Sequence, residues 1–116
     1  WAYVGCDPQW MGLGPVWAIR ELCRRTGTSP RDFDTIEINE AFAVQTLACL
    51  KELGLPDENR VNPDGGAIAL GHPIGASGAR LIVHLAHRIA RGETRRGLAA
   101  LCVGGGMGSA VMMESP

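Results

Sequence analysis

The run Leu98-Ala99-Ala100-Leu101-Cys102-Val103 is apolar on both parities. Such a strand has to be covered on both faces, which excludes a sheet with one side in water. The rest of the chain must therefore supply two layers. Val16, Ile19, Leu22 and Cys23 fall on one face of a helix that runs to about Arg25, with Gly14 and Pro15 as N-cap and first residue and Gly27 as its stop. Arg20, Arg24 and Arg25 lie opposite and read as a solvated face. Ser29-Pro30-Arg31-Asp32 signals a short turn. The β-branched stretch Thr35-Ile36-Glu37-Ile38 reads as a strand.

A second helix is expected from about Glu40 to Leu53, closed by Gly54, with Pro56 blocking restart and 57–60 as a polar connection. It is apolar nearly all round, which marks a buried helix needing a covering layer from another domain or subunit. A third helix is expected over roughly Ala76 to Arg91. Its apolar stripe is Leu81, Ile82, Leu85, Ala86 and Ile89, and its polar stripe is Arg80, His84, His87 and Arg91. Ala2–Val4 reads as a strand end. After Leu98–Val103, Gly104–Gly108 turns the chain and Ser109–Glu114 returns antiparallel. The alternation predicts an α/β fold: a mixed, mostly parallel sheet, helices on both faces, and a C-terminal hairpin adding an antiparallel edge.

At 116 residues, 46% apolar and 20% charged, the chain has the composition of one globular domain. A formal charge of −1 gives no basic excess to argue for nucleic acid or an anionic membrane. No apolar run has transmembrane length. Cys6, Cys23, Cys49 and Cys102 are scattered without a C-x-x-C pair, so the default is a reducing intracellular compartment rather than a disulfide framework. The chain opens on Trp1-Ala2-Tyr3-Val4-Gly5 without an initiator methionine. That reads as the middle of a strand, so a piece of a longer protein is expected.

Gly65-Gly66-Ala67-Ile68-Ala69-Leu70-Gly71-His72-Pro73-Ile74-Gly75-Ala76-Ser77-Gly78 holds five of the sixteen glycines. Pro73 keeps His72 out of the helical region, on a rigid loop at a helix entrance. There an imidazole serves acid/base or oxyanion chemistry, or is incidental to a turn. Asn39 follows a strand and can hold a water or carbonyl oxygen, or can cap a helix. Cys102 precedes a glycine turn whose freed N–H groups suit an oxyanion hole, or it is a small core residue. The stretch lacks the Lys-Ser/Thr of a P-loop, and Gly104–Ser109 fails G-x-G-x-x-G. His84 and His87 could pair on a metal, but no third ligand is spaced with them, so no metal site is expected.

Taken together, Asn39-Glu40-Ala41-Phe42-Ala43, the glycine stretch with Gly71-His72-Pro73, and Cys102-Val103-Gly104-Gly105-Gly106-Met107-Gly108 resemble the C-terminal half of a thiolase, an acetyl-CoA acyltransferase or acetyltransferase. Met11-Gly12-Leu13-Gly14-Pro15 resembles a fourth family segment, and the likeness covers essentially the whole chain. It implies that residues 1–116 are a nearly complete thiolase C-terminal domain, lacking the start of its first strand and the N-terminal half.

The resemblance assigns His72 to activation of a nucleophilic cysteine and to an oxyanion hole, and Asn39 to orienting a water in that hole. It makes Cys102 the general acid/base at the α-carbon of an acetyl thioester, and Gly104 a backbone donor to a second oxyanion hole. Phe42 and Met11 line the acyl and pantetheine end. A neighbouring imidazole and backbone dipoles are expected to bring the Cys102 thiol's pKa close to the operating pH.

The implied reaction is thiolytic cleavage of a 3-ketoacyl-CoA, or the reverse Claisen condensation. Acyl-CoA and CoA are substrates and no cofactor is required. The expected partners are the N-terminal thiolase half and further copies in a homodimer or homotetramer, in the cytoplasm or an organelle. None of Cys6, Cys23 and Cys49 sits in a family nucleophile motif, so this chain alone is expected to be inactive and poorly soluble. Thiolysis of acetoacetyl-CoA by the purified chain would refute that. The rival readings are a ketosynthase-type condensing enzyme, which usually carries a second histidine where Cys102 stands, and a non-catalytic acyl-CoA- or lipid-binding relative.

Overall fold

A computed structural model describes residues 1–55 and 58–116. The helix-blocking role expected of Pro56, and the first residue of the polar connection, lie outside the described residues. Four strands, β1 (Ala2–Gly5), β2 (Thr35–Ile38), β3 (Arg96–Val103) and β4 (Met107–Glu114), form one sheet in the order β1-β4-β3-β2. The helices are α1 (Gly14–Thr26), α2 (Ala43–Leu53), α3 (Ala67–Leu70) and α4 (Ser77–Ala90).

The sheet is mixed, but not mostly parallel. β2 pairs parallel with β3, whereas β3–β4 and β1–β4 are antiparallel. β1, β2 and β3 run in one direction, as the alternation of strands and helices requires. The return strand β4 does not stay at the edge, however. It lies between β3 and β1, and makes two of the three pairings antiparallel. β3 and β4 each begin two residues earlier than expected, so Gly104–Gly106 alone make the turn, with Gly105 and Gly106 at φ 84° and 89°.

Helices cover both faces, as expected. Val16, Ile19 and Leu22 of α1 and Cys49 and Leu50 of α2 pack with Phe33 on Ile36, Ile38, Leu98 and Ala100. Leu81 and Leu85 of α4 pack on Ala99 from the other side. α1 starts with Pro15 in its first turn and ends at Gly27, whose φ of 68° closes it through an N–H bond to the Cys23 carbonyl. Its first turn meets β4 backbone to backbone. A Cβ on Gly108 would sit 2.0 Å from the Gly14 carbonyl oxygen. The Arg24 and Arg25 side of α1 is exposed but occupied, because both guanidiniums bind Glu21.

α2 begins at Ala43, three residues later than expected. Phe42 takes the N-cap position in extended conformation. The backbone before it stays with the sheet, since the Asn39 N–H bonds the Ala100 carbonyl at 2.9 Å. Phe42 is 70% exposed and Val44 74%, so the apolar circumference is real and half of it is uncovered here. Among the described residues, no helix is long and apolar enough to cross a membrane.

Candidate active site

Asn39 follows β2 and Cys102 stands near the end of β3. The two strands are parallel neighbours with Ile38 opposite Ala100, so both residues reach the same edge of the sheet. In α/β sheets this carboxyl edge is where ligands bind. The entrance of α4 lies over the same edge, with a Cβ on Gly78 placed 3.7 Å from Leu101 Cδ1. The glycine stretch that leads into α4 thus delivers His72 to the end where Asn39 and Cys102 stand. Among the described residues, no side-chain hydrogen bond joins the three.

His72 is exposed and held by one strong contact, Nδ1 to Ser77 Oγ at 2.6 Å. The Ser77 hydroxyl donates to the Pro73 carbonyl at 3.1 Å. With that proton spent, Oγ accepts from Nδ1–H, and the Nε2 lone pair is left open as a base or acceptor. Ser77 is fully buried as the first residue of α4. Its position five residues after the histidine, at a helix start, was the only signal in the sequence for this role.

Asn39 is buried, and its Oδ1 has no protein partner. The alternative role, helix cap, falls to Phe42, so the amide oxygen is unspent and suited to accept from a water. Cys102 is half-buried opposite Gly108. Here the expectation of a thiol tuned toward operating pH is corrected. Burial pushes the thiol above its ordinary value of 9.0, away from that range. Gly104 does not need to be glycine for the fold. A Cβ there would meet open space, and its φ is not positive. Phe42 and Met11 both project from the surface.

A second polar group lies beneath this edge. Glu37, in the middle of β2, is fully buried and its Oε1 meets His84 Nδ1 at 2.9 Å. His84 Nε2 meets Asp64 Oδ2 at 2.8 Å, and Arg88 Nη1 meets the same oxygen at 2.5 Å. Burial pushes the Glu37 carboxyl above its ordinary value against the opposing pull of His84 and Arg80. Its proton can then be shared with Nδ1 while Nε2–H donates to Asp64. His84 is therefore a half-buried bridge between the carboxylates of Glu37 and Asp64, and not a free member of a solvated stripe. The lone acidic residue in an otherwise apolar strand was the legible hint. Among the described residues, no three His, Cys, Asp or Glu side chains are arranged to hold a metal ion.

The family model described as "Thiolase, C-terminal domain" matches residues 1–115. The chain belongs to the thiolase C-terminal domain family. This thiolase domain is 54% identical over 114 residues to the beta-ketoadipyl-CoA thiolase of Pseudomonas aeruginosa, covering 97% of the chain and 28% of that relative. It is 52% identical over 116 residues to the acetyl-CoA acetyltransferase of Chromobacterium violaceum, covering 100% of the chain and 29% of the relative. Among solved structures, human mitochondrial 3-ketoacyl-CoA thiolase in complex with CoA superposes with a TM-score of 0.94 at 46% identity, over 99% of this chain and 29% of that one. The thiolase domain thus spans under a third of the length of the relatives it matches.

Proposed function

We propose that this domain is the acid/base and oxyanion-binding part of a thiolase that cleaves 3-ketoacyl-CoA with CoA, or runs the reverse condensation. It works with an N-terminal half that carries the nucleophilic cysteine. His72 Nε2 takes the proton of that cysteine. The thiolate adds to the 3-keto carbon, the C2–C3 bond breaks, and the electron pair passes to an acetyl-CoA enolate. Cys102 returns a proton to the α-carbon and regains one from the CoA thiol, which takes the acyl group from the nucleophilic cysteine as His72 gives that cysteine its proton back. In condensation the same group removes that proton, and the added half supplies the surroundings that make its thiolate accessible.

The water held by Asn39 together with His72 stabilises the thioester oxygen, and the Gly104 N–H serves a second oxyanion. Phe42 and Met11 line the acyl and pantetheine end. Acyl-CoA and CoA are the substrates and no cofactor takes part. The protein works as a cytoplasmic homo-oligomer, in which the nucleophile-bearing half covers the exposed apolar side of α2. The observation that supports this reading is that Asn39, with its buried Oδ1 unpartnered, and Cys102 lie at the ends of neighbouring parallel strands, at the edge over which the entrance of α4 lies, where Ser77 holds His72.

The test is a chimera in which residues 1–116 replace the aligned segment of the Chromobacterium violaceum enzyme. It should thiolyse acetoacetyl-CoA, and Cys102→Ala and His72→Ala should each lower turnover about 10²- to 10⁴-fold. A soluble chimera whose activity survives either change refutes the reading.

A further inference from the structure

We propose that Glu40 and Asn62 form a clamp that fixes Asn39 against the glycine stretch carrying His72, so that both act as positioning residues. The inference rests on the reading above, in which Asn39 and His72 share one oxyanion. Glu40 is the residue after Asn39. Its Oε2 accepts the Ile68 N–H at 2.8 Å, and its Oε1 accepts Asn62 Nδ2 at 3.2 Å.

Asn62 is itself locked. Its Oδ1 accepts the Ile38 N–H at 2.9 Å and its Nδ2 donates to the Ile38 carbonyl at 2.9 Å, extending the edge of β2 as a further strand would. Its φ of 46° lies in the left-handed region, which asparagine enters more readily than most residues. From Ile68 the short helix α3 runs to Gly71, whose N–H bonds the Ala67 carbonyl, and His72 follows. The Glu40 carboxylate is thus joined to Asn39 on one side, and on the other to His72 through one rigid turn.

Two chemical demands follow. First, Glu40 faces two donors, Ile68 N–H and Asn62 Nδ2. Asn62 cannot flip to relieve a mismatch without losing both Ile38 bonds. Glutamine offers a single oxygen, so it would turn its NH₂ toward one donor or the other. Second, a Cβ on Gly66 would lie 2.3–2.6 Å from the carboxylate's Cδ, Oε2 and Oε1. Gly66 has φ −112°, which any residue adopts, so a side chain there is opposed by the Glu40 carboxylate and not by backbone conformation, and the carboxylate would have to leave its place to admit one.

The full-length chimera tests the clamp. Glu40→Gln should lower kcat on the order of 10- to 100-fold while KM stays within about twofold, because displaced oxyanion groups cost transition-state stabilisation more than binding. Gly66→Ala should produce the same split. In a Glu40→Ala background, Gly66→Ala should add nothing, since the atoms it strikes are gone. Amide exchange at Ile68 should accelerate in Glu40→Gln and remain as in the parent in Cys102→Ala. Unchanged kcat in Glu40→Gln, or additive losses in the double variant, overturns the clamp. An inactive parent chimera with exchange still sensitive to Glu40 would refute the catalytic reading and keep the clamp as a contact. Exchange insensitive to Glu40 would refute the contact itself.

Discussion

The two faces of the sheet are built from the same strands and could hardly differ more. On the α1 and α2 side, Ile36, Ile38 and Leu98 meet Ile19, Leu22 and Phe33 in an apolar layer. On the α4 side, the alternate residues of β2 and those that follow it are Thr35, Glu37 and Asn39, all buried. Thr35 meets Thr94 at 2.6 Å and Glu37 meets His84, and only Leu81, Leu85 and Ala99 form an apolar cluster. Alternation along a strand sends neighbours to opposite faces, so one four-residue segment serves both. One face holds the fold, and the other trades packing for unspent polar groups at its carboxyl edge.

The largest effect should come from the polar side. In the chimera, Cys102→Ala should cost about 10²- to 10⁴-fold in acetoacetyl-CoA turnover, the range for a lost general acid/base. Thermal unfolding should shift little. A large fall in Tm would mean that the thiol is a packing residue and would blur the two faces. Phe33→Ala should do the reverse. It should cost about 3–5 kcal/mol in denaturant unfolding, as truncation of a buried aromatic does, with activity per folded molecule retained.

Two glycines sharpen the contrast. A Cβ on Gly108 strikes the Gly14 backbone at 2.0 Å, whereas one on Gly97 strikes Leu85 Cδ2 at 2.9 Å. Backbone cannot yield and the end of a leucine can. Gly108→Ala should therefore exceed the ~1–3 kcal/mol typical of overpacking, and Gly97→Ala should fall at or below it. Equal losses would show that the α4 side is as unyielding as the α1 side.

The smallest effects are in pH dependence, and they have opposite signs. Burial raises Glu37 above its ordinary 4.5, so its stabilising contribution is full below that value and is lost as pH rises through the folded pKa. Hydrogen bonds from Arg24 and Arg25 lower Glu21 to about 2, so its contribution is present above 4.5 and is lost as pH falls toward 2. Against its Gln variant at each site, the parent's stability advantage should decline with rising pH for Glu37 and with falling pH for Glu21. Unfolding midpoints across pH 2–8 check both signs.

Local signals carried much of the fold. Pro15 and Gly27 bound α1, and the β-branched run marks β2. Strand neighbours were not legible, because pairing is non-local: nothing near Ser109 announces that β4 will lie between β3 and β1. The start of α2 was misplaced because Glu40, a good helix former, is drawn away to Ile68 and Asn62. The candidate site divides in the same way. Asn39, His72 and Cys102 stand in recognisable motifs, whereas Ser77, Asn62 and Glu37 acquire their roles only from partners across the fold. His84 looked solvated because its helical spacing is polar, and the carboxylates that bind it come from two other segments.

The placement of β4 also sets an order of events during synthesis. Ala2 of β1 pairs with Ala110 of β4, and β4 is the strand that borders β1 among the described residues. At about 5–20 residues per second, a ribosome needs on the order of 5–20 s to deliver that partner. For that interval the side of the Tyr3 segment that β4 will pair is open to chaperones or to a neighbouring nascent chain, and the arrival of β4 closes it.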